Sequence, residues 1–119
     1  MTESRVIDPS ALDTLIETTG GDPDFLCEMI DVFLADAVDL LAAMDEALVR
    51  GDTVVLRRAA HSLKSNAATF GATRLTALAR QLEELGETAE LPSSPPVLAA
   101  ARAEFASVDD ALRAARASL

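Results

Sequence analysis

Apolar residues recur along the chain at steps of three and four positions, the spacing of one face of an α-helix. The segment after Pro23 shows this most clearly, with apolar residues at Leu26, Ile30, Phe33, Ala37, Leu40, Met44 and Leu48. Similar stripes occupy 53–70, 74–85 and 96–117, and the alternation typical of a β-strand is not sustained anywhere. The pattern therefore predicts an all-α protein.

Capping residues give the boundaries of these helices. Asp8-Pro9 and Asp22-Pro23 each place a carboxylate acceptor before a proline, as at a helix N-terminus. Asp52, Thr73 and Ser94 are further N-cap candidates, and glycines at 20–21, 51 and 86 are positioned as C-caps. We predict helices near 9–18, 23–50, 53–70, 74–85 and 96–117.

The number and length of the stripes predict an antiparallel four-helix bundle, because four amphipathic helices with short connections close one common core. The first helix, which carries Leu12, Leu15 and Ile16, is expected to cap one end. The 119 residues suit a single domain, which we place at 1–119. The proline- and serine-rich stretch 87–96 is the one connection predicted to be flexible.

Composition excludes several classes of function. The net charge is −10, which disfavours nucleic acid and anionic membranes as partners. One cysteine and one histidine cannot form an internal disulfide or a structural zinc site, so no metal site is predicted. Neither a signal peptide nor a nucleotide-binding loop is recognisable, so a cytoplasmic protein without an ATP site is expected, and we expect a monomer.

The single histidine, His61, lies on the polar side of its predicted helix, roughly 140° from the centre of the apolar stripe. Ala68 follows two turns later, and its small side chain would leave room for a partner. The neighbours of His61 one turn away are Arg57, Arg58, Lys64 and Ser65. Three cations disfavour protonation of the imidazole and would stabilise an added phosphoryl group. A neutral, exposed imidazole of this kind can act as a nucleophile.

The charge is unevenly distributed along the chain. Residues 50–80 carry a net charge of +5, which leaves −15 for the remainder. The basic stretch contains His61, so the sequence predicts a cationic face that would attract an acidic partner. Folding the fourth helix back about residue 71 would also place Gln81 beside His61, where its amide could hydrogen-bond the ring or a phosphoryl group.

The run AHSLKSNAATFGA at 60–72 resembles the signature of histidine-containing phosphotransfer (HPt) domains. The resemblance extends through Ile7-Asp8-Pro9, Gly21-Asp22-Pro23 and Phe33, and so covers most of the chain. It implies an all-α bundle in which His61 accepts a phosphoryl group and Lys64 helps to hold it. Ser65 stands where the family often has glycine, a small-for-small replacement.

The resemblance also implies the partners. The family relays phosphoryl groups between the aspartates of response-regulator receiver domains in two-component phosphorelays, with hybrid or sensor histidine kinases upstream. The chain would be a phosphoryl carrier rather than an enzyme, with no cofactor of its own and with Mg²⁺ supplied by the receiver. Arg57, Arg58, Ser65, Ala68 and Gln81 would contact the partner. The alternative is a helical docking module that binds a receiver or kinase without accepting phosphate.

Overall fold

The computed structural model describes residues 6–119 and contains five α-helices. They are α1 (Pro9–Thr18), α2 (Pro23–Arg50), α3 (Thr53–Thr69), α4 (Thr73–Glu87) and α5 (Ser94–Ala117), with a 3₁₀ turn at Leu91–Ser93 before α5. No strand occurs in this part of the chain, so the protein is all-α as predicted. None of these helices is both long and apolar enough to cross a membrane.

Three aspartates begin the first three helices, as their positions predicted. The side chains of Asp8, Asp22 and Asp52 each accept a hydrogen bond from a backbone N–H of the following turn, at 3.0 Å. Gly51 ends α2 in the left-handed conformation, with φ +70°. Local capping chemistry therefore accounts for the boundaries of α1 and α2 and the start of α3.

The predicted caps of α4 and α5 are wrong. Thr73 is the first residue of α4 and the N-cap is Ala72, which provides no side-chain hydrogen bond. Ser94 is the first residue of α5 and is fully buried, because the preceding 3₁₀ turn draws the chain onto the bundle. Gly86 does not cap α4 but lies inside it and is buried. The stretch expected to be flexible is thus partly helical.

The four long helices form a ring in which α3 packs against α2 and α4, and α5 packs against the same two helices from the opposite corner. Phe33 of α2 is buried in this core, stacked on Phe70 at 4.9 Å and edge-on to Phe105 at 6.4 Å between ring centroids. The largest fully buried apolar side chains are Leu26, Ile30, Met44, Leu56, Leu63, Leu75, Leu82, Val108 and Leu112. Leu56 and Leu63 of α3 point into this core, so the opposite face of α3, which carries His61, is exposed to solvent.

Helix α1 packs at the end of the bundle where α3 turns into α4. The backbone N–H of Asp8 donates to the carbonyl of Gly71 at 2.9 Å. Gly71 has φ +69°, and a Cβ at this position would lie 2.8 Å from the Cβ of Ala11. Glycine is therefore required both for the turn and for the docking of α1.

Helices α3 and α4 approach each other closely because small residues line their contact. A Cβ at Gly86 would lie 3.1 Å from the backbone nitrogen of Arg57. Ala60, Ala67 and Ala79 are fully buried along the two helices. This close packing fixes the register of α4 against α3, and with it the residues of α4 that can reach His61.

Candidate functional site

His61 occupies the middle of α3, between buried residues that anchor the helix. Ala60 and Leu63 on either side are fully buried, whereas the imidazole of His61 is 60 % exposed. The outward direction predicted from the apolar stripe is therefore correct. The ring is held on a rigid, well-packed helix rather than on a loop, which favours reproducible positioning.

The imidazole has a partner on α4 that the sequence did not assign. Nδ1 of His61 lies 2.7 Å from Oε2 of Glu83. The ammonium of Lys64 donates to the other carboxylate oxygen, Oε1, at 2.6 Å. The Glu83 side chain is only 13 % exposed and that of Lys64 is 26 % exposed, so the three groups form a partly buried cluster. The Lys64 side chain therefore lies at the edge of the core rather than fully in solvent.

Two donors keep this carboxylate ionised. The Lys64 ammonium, more than the hydrogen bond from His61, holds the pKa of Glu83 below its usual range, although burial opposes the shift. An ionised carboxylate only accepts hydrogen bonds, so the proton in the short contact belongs to Nδ1 of His61. The neutral imidazole then carries its lone pair on Nε2, the nitrogen turned away from Glu83.

The two sides of His61 differ in charge. Toward α4, a shallow depression is lined by Arg57, Arg58, His61, Ser62 and Glu83. Toward α2, a second depression is lined by Asp36, Asp39, Leu40, His61, Ser62, Ser65 and Asn66. The prediction that cations alone surround the imidazole is therefore wrong, because α2 and α4 bring carboxylates that residues of α3 do not reveal.

The remaining predicted contact residues divide into two groups. Arg57, Arg58 and Ser65 line the depressions beside His61, as expected from their positions one turn away. Ala68 is exposed on α3 but lines neither depression. Gln81 is exposed on α4, and the contact to the imidazole that we predicted for it is made by Glu83 instead.

The error at Gln81 is an error of helix register. Glu83 faces His61 and Gly86 faces Arg57, so the α3–α4 hairpin is centred near residue 72 rather than 71. Moving the centre of the hairpin by one residue moves the α4 residue that lies opposite His61 by two residues, from Gln81 to Glu83. The heptad spacing of the small residues Ala72, Ala79 and Gly86 is the sequence signal that could have given this register, because small residues mark where two helices approach closely.

Comparison with known proteins agrees with this architecture. A model of the Hpt domain family matches residues 28–118. The crystal structure of histidine-containing phosphotransfer protein B (HptB) from Pseudomonas aeruginosa PAO1 is similar over 98 % of this chain and 99 % of that one, with 28 % identity and a TM-score of 0.90. No curated protein matches the chain with comparable significance. The chain therefore belongs to the Hpt domain family, a histidine-containing phosphotransfer fold with a role in phosphorelay.

Proposed function

We propose that His61 is the phosphorylated residue of this Hpt domain and that its Nε2 exchanges a phosphoryl group with the aspartate of a receiver domain. The observation that carries the proposal is the contact between Nδ1 and Glu83 at 2.7 Å on a ring that is 60 % exposed. This contact leaves the Nε2 lone pair directed to solvent, where a partner can reach it.

The phosphoryl exchange needs no reactant other than the imidazole and the partner's phospho-aspartate. Nε2 attacks the phosphorus of the partner's phospho-aspartate in line, a P–N bond forms, and the P–O bond to the aspartate carboxylate breaks. The imidazole becomes positively charged and keeps its proton on Nδ1. Glu83 stabilises that charge through the hydrogen bond it already makes. Reversal of the same steps returns the group to a receiver.

Cations near the ring support the transferred group. The ammonium of Lys64 donates to the same carboxylate that His61 contacts, so its charge lies close to the ring. Arg57 and Arg58 border the depression next to the ring. Their positive charges would offset the negative charge that the phosphoryl group brings to Nε2. In this proposal Lys64 exchanges part of its interaction with Glu83 for the phosphoryl oxygens.

The protein acts as a carrier in this scheme. Receiver domains and hybrid or sensor histidine kinases are the proposed partners, and the receiver contributes the Mg²⁺ that neutralises the phosphoryl oxygens during transfer. Catalysis then resides in positioning the imidazole against the partner's own site. We place this exchange in the cytoplasm, with the protein acting as a monomer.

A labelling experiment tests the assignment of His61. The protein is incubated with a receiver domain carrying a radiolabelled phosphoryl group, and acid-labile label on the chain is measured. We expect label on the wild type and on Asp110→Asn, a control on α5, and none on His61→Gln. Label that persists on His61→Gln would show that another residue accepts the phosphoryl group.

Substitution of His61 also distinguishes the carrier proposal from the alternative of a docking module that does not accept phosphate. A protein that only docks would bind the receiver and remain unlabelled, and His61→Ala would preserve its effect on the partner. The carrier proposal expects that effect to be lost completely with His61→Ala. The measurement is output of the partner pathway in cells that carry each variant.

A further inference from the structure

The depression on the α2 side of His61 carries neutral hydrogen-bond donors as well as carboxylates. Asp36 and Asp39 border it from α2, and its lining on α3 includes Ser62 and Ser65. Both serines are exposed, and neither hydroxyl makes a hydrogen bond to any of residues 6–119. Both hydroxyls are therefore available to a group that enters the depression.

These two hydroxyls differ from most others in the helices. A serine or threonine inside a helix often donates to the backbone carbonyl four residues earlier. Such bonds, 2.8 to 3.1 Å long, are made by Thr14, Thr18, Thr69, Thr76 and Thr88. Ser107 on α5 behaves like Ser62 and Ser65, because it is exposed and its hydroxyl has no partner in the described part of the chain. Ser107 is therefore a matched control for either serine.

A phosphoryl group on His61 would lie on the side of the ring that faces this depression. Nδ1 contacts Glu83 of α4 at 2.7 Å, and the lone pair of Nε2 points nearly opposite to the Nδ1–H bond. Because α3 lies between α4 and α2, a group on Nε2 extends away from α4 and toward the wall that carries Asp36 and Asp39. The donors of this depression are thus the ones that the group would meet.

Ser65 is better placed than Ser62 to reach such a group. Around the helix axis, Ser65 projects about 40° from His61, whereas Ser62 projects about 100° from it. Residues one turn apart have Cβ atoms about 5–6 Å apart, and helical side chains lean toward the N-terminus, which for Ser65 is the direction of His61. The phosphoryl oxygens, which lie beyond Nε2, would shorten the distance to the Ser65 hydroxyl.

We infer that the Ser65 hydroxyl donates a hydrogen bond to a phosphoryl oxygen on Nε2 of His61 and so stabilises the phosphorylated protein. The inference rests on the proposed function. A hydrogen bond to an anionic oxygen is stronger than one between neutral groups. It forms only after phosphorylation, so it shifts the exchange equilibrium toward this protein and away from the receiver. The glycine that the family often has at this position could not make the bond.

The carboxylates of the same depression act in the opposite direction. The negative charges of Asp36 and Asp39 repel the phosphoryl group and raise the free energy of the phosphorylated protein. The neutral donor and the two carboxylates together determine how readily the group is passed on to a receiver.

The equilibrium constant of phosphoryl exchange tests the inference. It is obtained as the ratio of kcat/KM for transfer to and from a receiver domain of the encoding genome. This constant compares the free proteins, so a residue that only contacts the receiver changes both rates and leaves their ratio unchanged. Ser65→Ala is expected to lower the constant by about 5- to 10-fold, as for a hydrogen bond to a charged group. Ser107→Ala should leave it unchanged.

A second variant separates the hydroxyl from the size of the side chain. Ser65→Cys keeps nearly the same volume but donates only weakly, so it should lower the constant as Ser65→Ala does. It also provides the measurement if Ser65→Ala fails to fold.

Substitution of a carboxylate should shift the constant the other way. Asp39→Asn is expected to raise it about 2- to 5-fold at low salt and by less at high salt. Asp110→Asn on α5 is the matched control. A constant that Asp39→Asn leaves unchanged or lowers would overturn the placement of the phosphoryl group on the α2 side.

The outcomes separate the inference from the carrier proposal. Label on Ser65→Ala with the exchange constant of Ser107→Ala would overturn the inference and leave the carrier proposal standing. A wild-type constant in Ser65→Cys would also overturn the inference, because size rather than the hydroxyl would then account for the effect. Absence of label from the wild type would overturn both.

Discussion

The two sides of α3 are built in opposite ways. Toward α4 the helices are in close contact, with Gly86 against the backbone of Arg57 and Glu83 held by Lys64 and His61. Toward α2 the surface opens into an apolar groove lined in part by Phe25, Met29 and Phe70, and large side chains such as Val32 remain exposed. One side fixes the positions of individual atoms, whereas the other offers an unfilled surface.

This difference indicates that the two sides of α3 have separate roles, one in positioning the imidazole and the other in binding a partner. A nucleophile needs a defined tautomer and orientation, which a tightly packed neighbour supplies at short distance. A partner needs accessible apolar area and a charge pattern, which a closely packed contact cannot offer. We therefore expect changes on the α4 side to affect stability and the transfer rate, and changes on the α2 side to affect affinity.

The largest effect is expected where the α3–α4 contact is closest. Gly86→Leu places a side chain against the backbone of Arg57 and should lower the free energy of unfolding by about 3 kcal/mol. Ala77→Leu adds the same side chain at an exposed position of α4 and should change it by less than ~0.5 kcal/mol. Urea denaturation measures both. Equal stabilities would mean that the two helices are not in close contact.

Removal of the carboxylate tests the chemistry of the same side. Glu83→Ala frees the Nδ1 proton of His61 and should slow single-turnover phosphoryl transfer by 10- to 100-fold, about the cost of losing a group that orients a functional histidine. Glu83→Gln keeps an oxygen acceptor and should recover most of the rate. Glu84→Ala, at the exposed neighbouring carboxylate, is the control. A wild-type rate in Glu83→Ala would show that the hydrogen bond does not position the nucleophile.

A smaller effect is expected at Lys64. Lys64→Ala removes one cation from the phosphoryl site and should slow transfer about tenfold, while the free energy of unfolding falls by ~1 kcal/mol or less. The small stability loss follows because Glu83 keeps His61 as a partner. Rapid-quench kinetics and denaturation of the same sample measure the two quantities. A loss of several kcal/mol would place Lys64 in the core rather than at its edge.

The smallest expected effect is the change in unfolding free energy at low pH that follows from protonation of Glu83. Because the pKa of Glu83 is lowered in the folded protein, its ionised form contributes stability above the unfolded pKa of about 4.3, and this is lost as the pH falls through the lower folded pKa. The wild type should exceed Glu83→Gln in unfolding free energy by up to ~1 kcal/mol at pH 5, and this difference should be smaller at pH 3. Denaturation at both values measures it. A difference that grows toward pH 3 would contradict the assignment.

Local patterns explain why most of the fold could be predicted. The boundaries at Asp8, Asp22, Gly51 and Asp52 depend on residues within one turn, and the predicted ranges of α1 and α2 coincide with the observed ones. The start of α5 depends on the packing of Ser94 against the bundle, which no local rule describes. The prediction of a helix boundary from sequence is therefore less accurate where tertiary contacts determine that boundary.

The same limit applies to the site. The outward direction of His61 and its neighbours Arg57 and Lys64 follow from the period of a single helix. Glu83, Asp36 and Asp39 come from α4 and α2, and their placement depends on how those helices pack against α3. A register error of one residue at the turn was enough to select Gln81 instead of Glu83.

The diagonal placement of α3 and α5 provides an experimental handle. With neighbouring helix axes 8–10 Å apart, diagonal axes in a four-helix ring are separated by about 13 Å, and their outer faces point in opposite directions. A fluorophore or surface tether attached through an exposed residue of α5, such as Ala114, would leave the histidine face open. Partner association could then be followed on the immobilised protein while phosphoryl exchange proceeds at the far side.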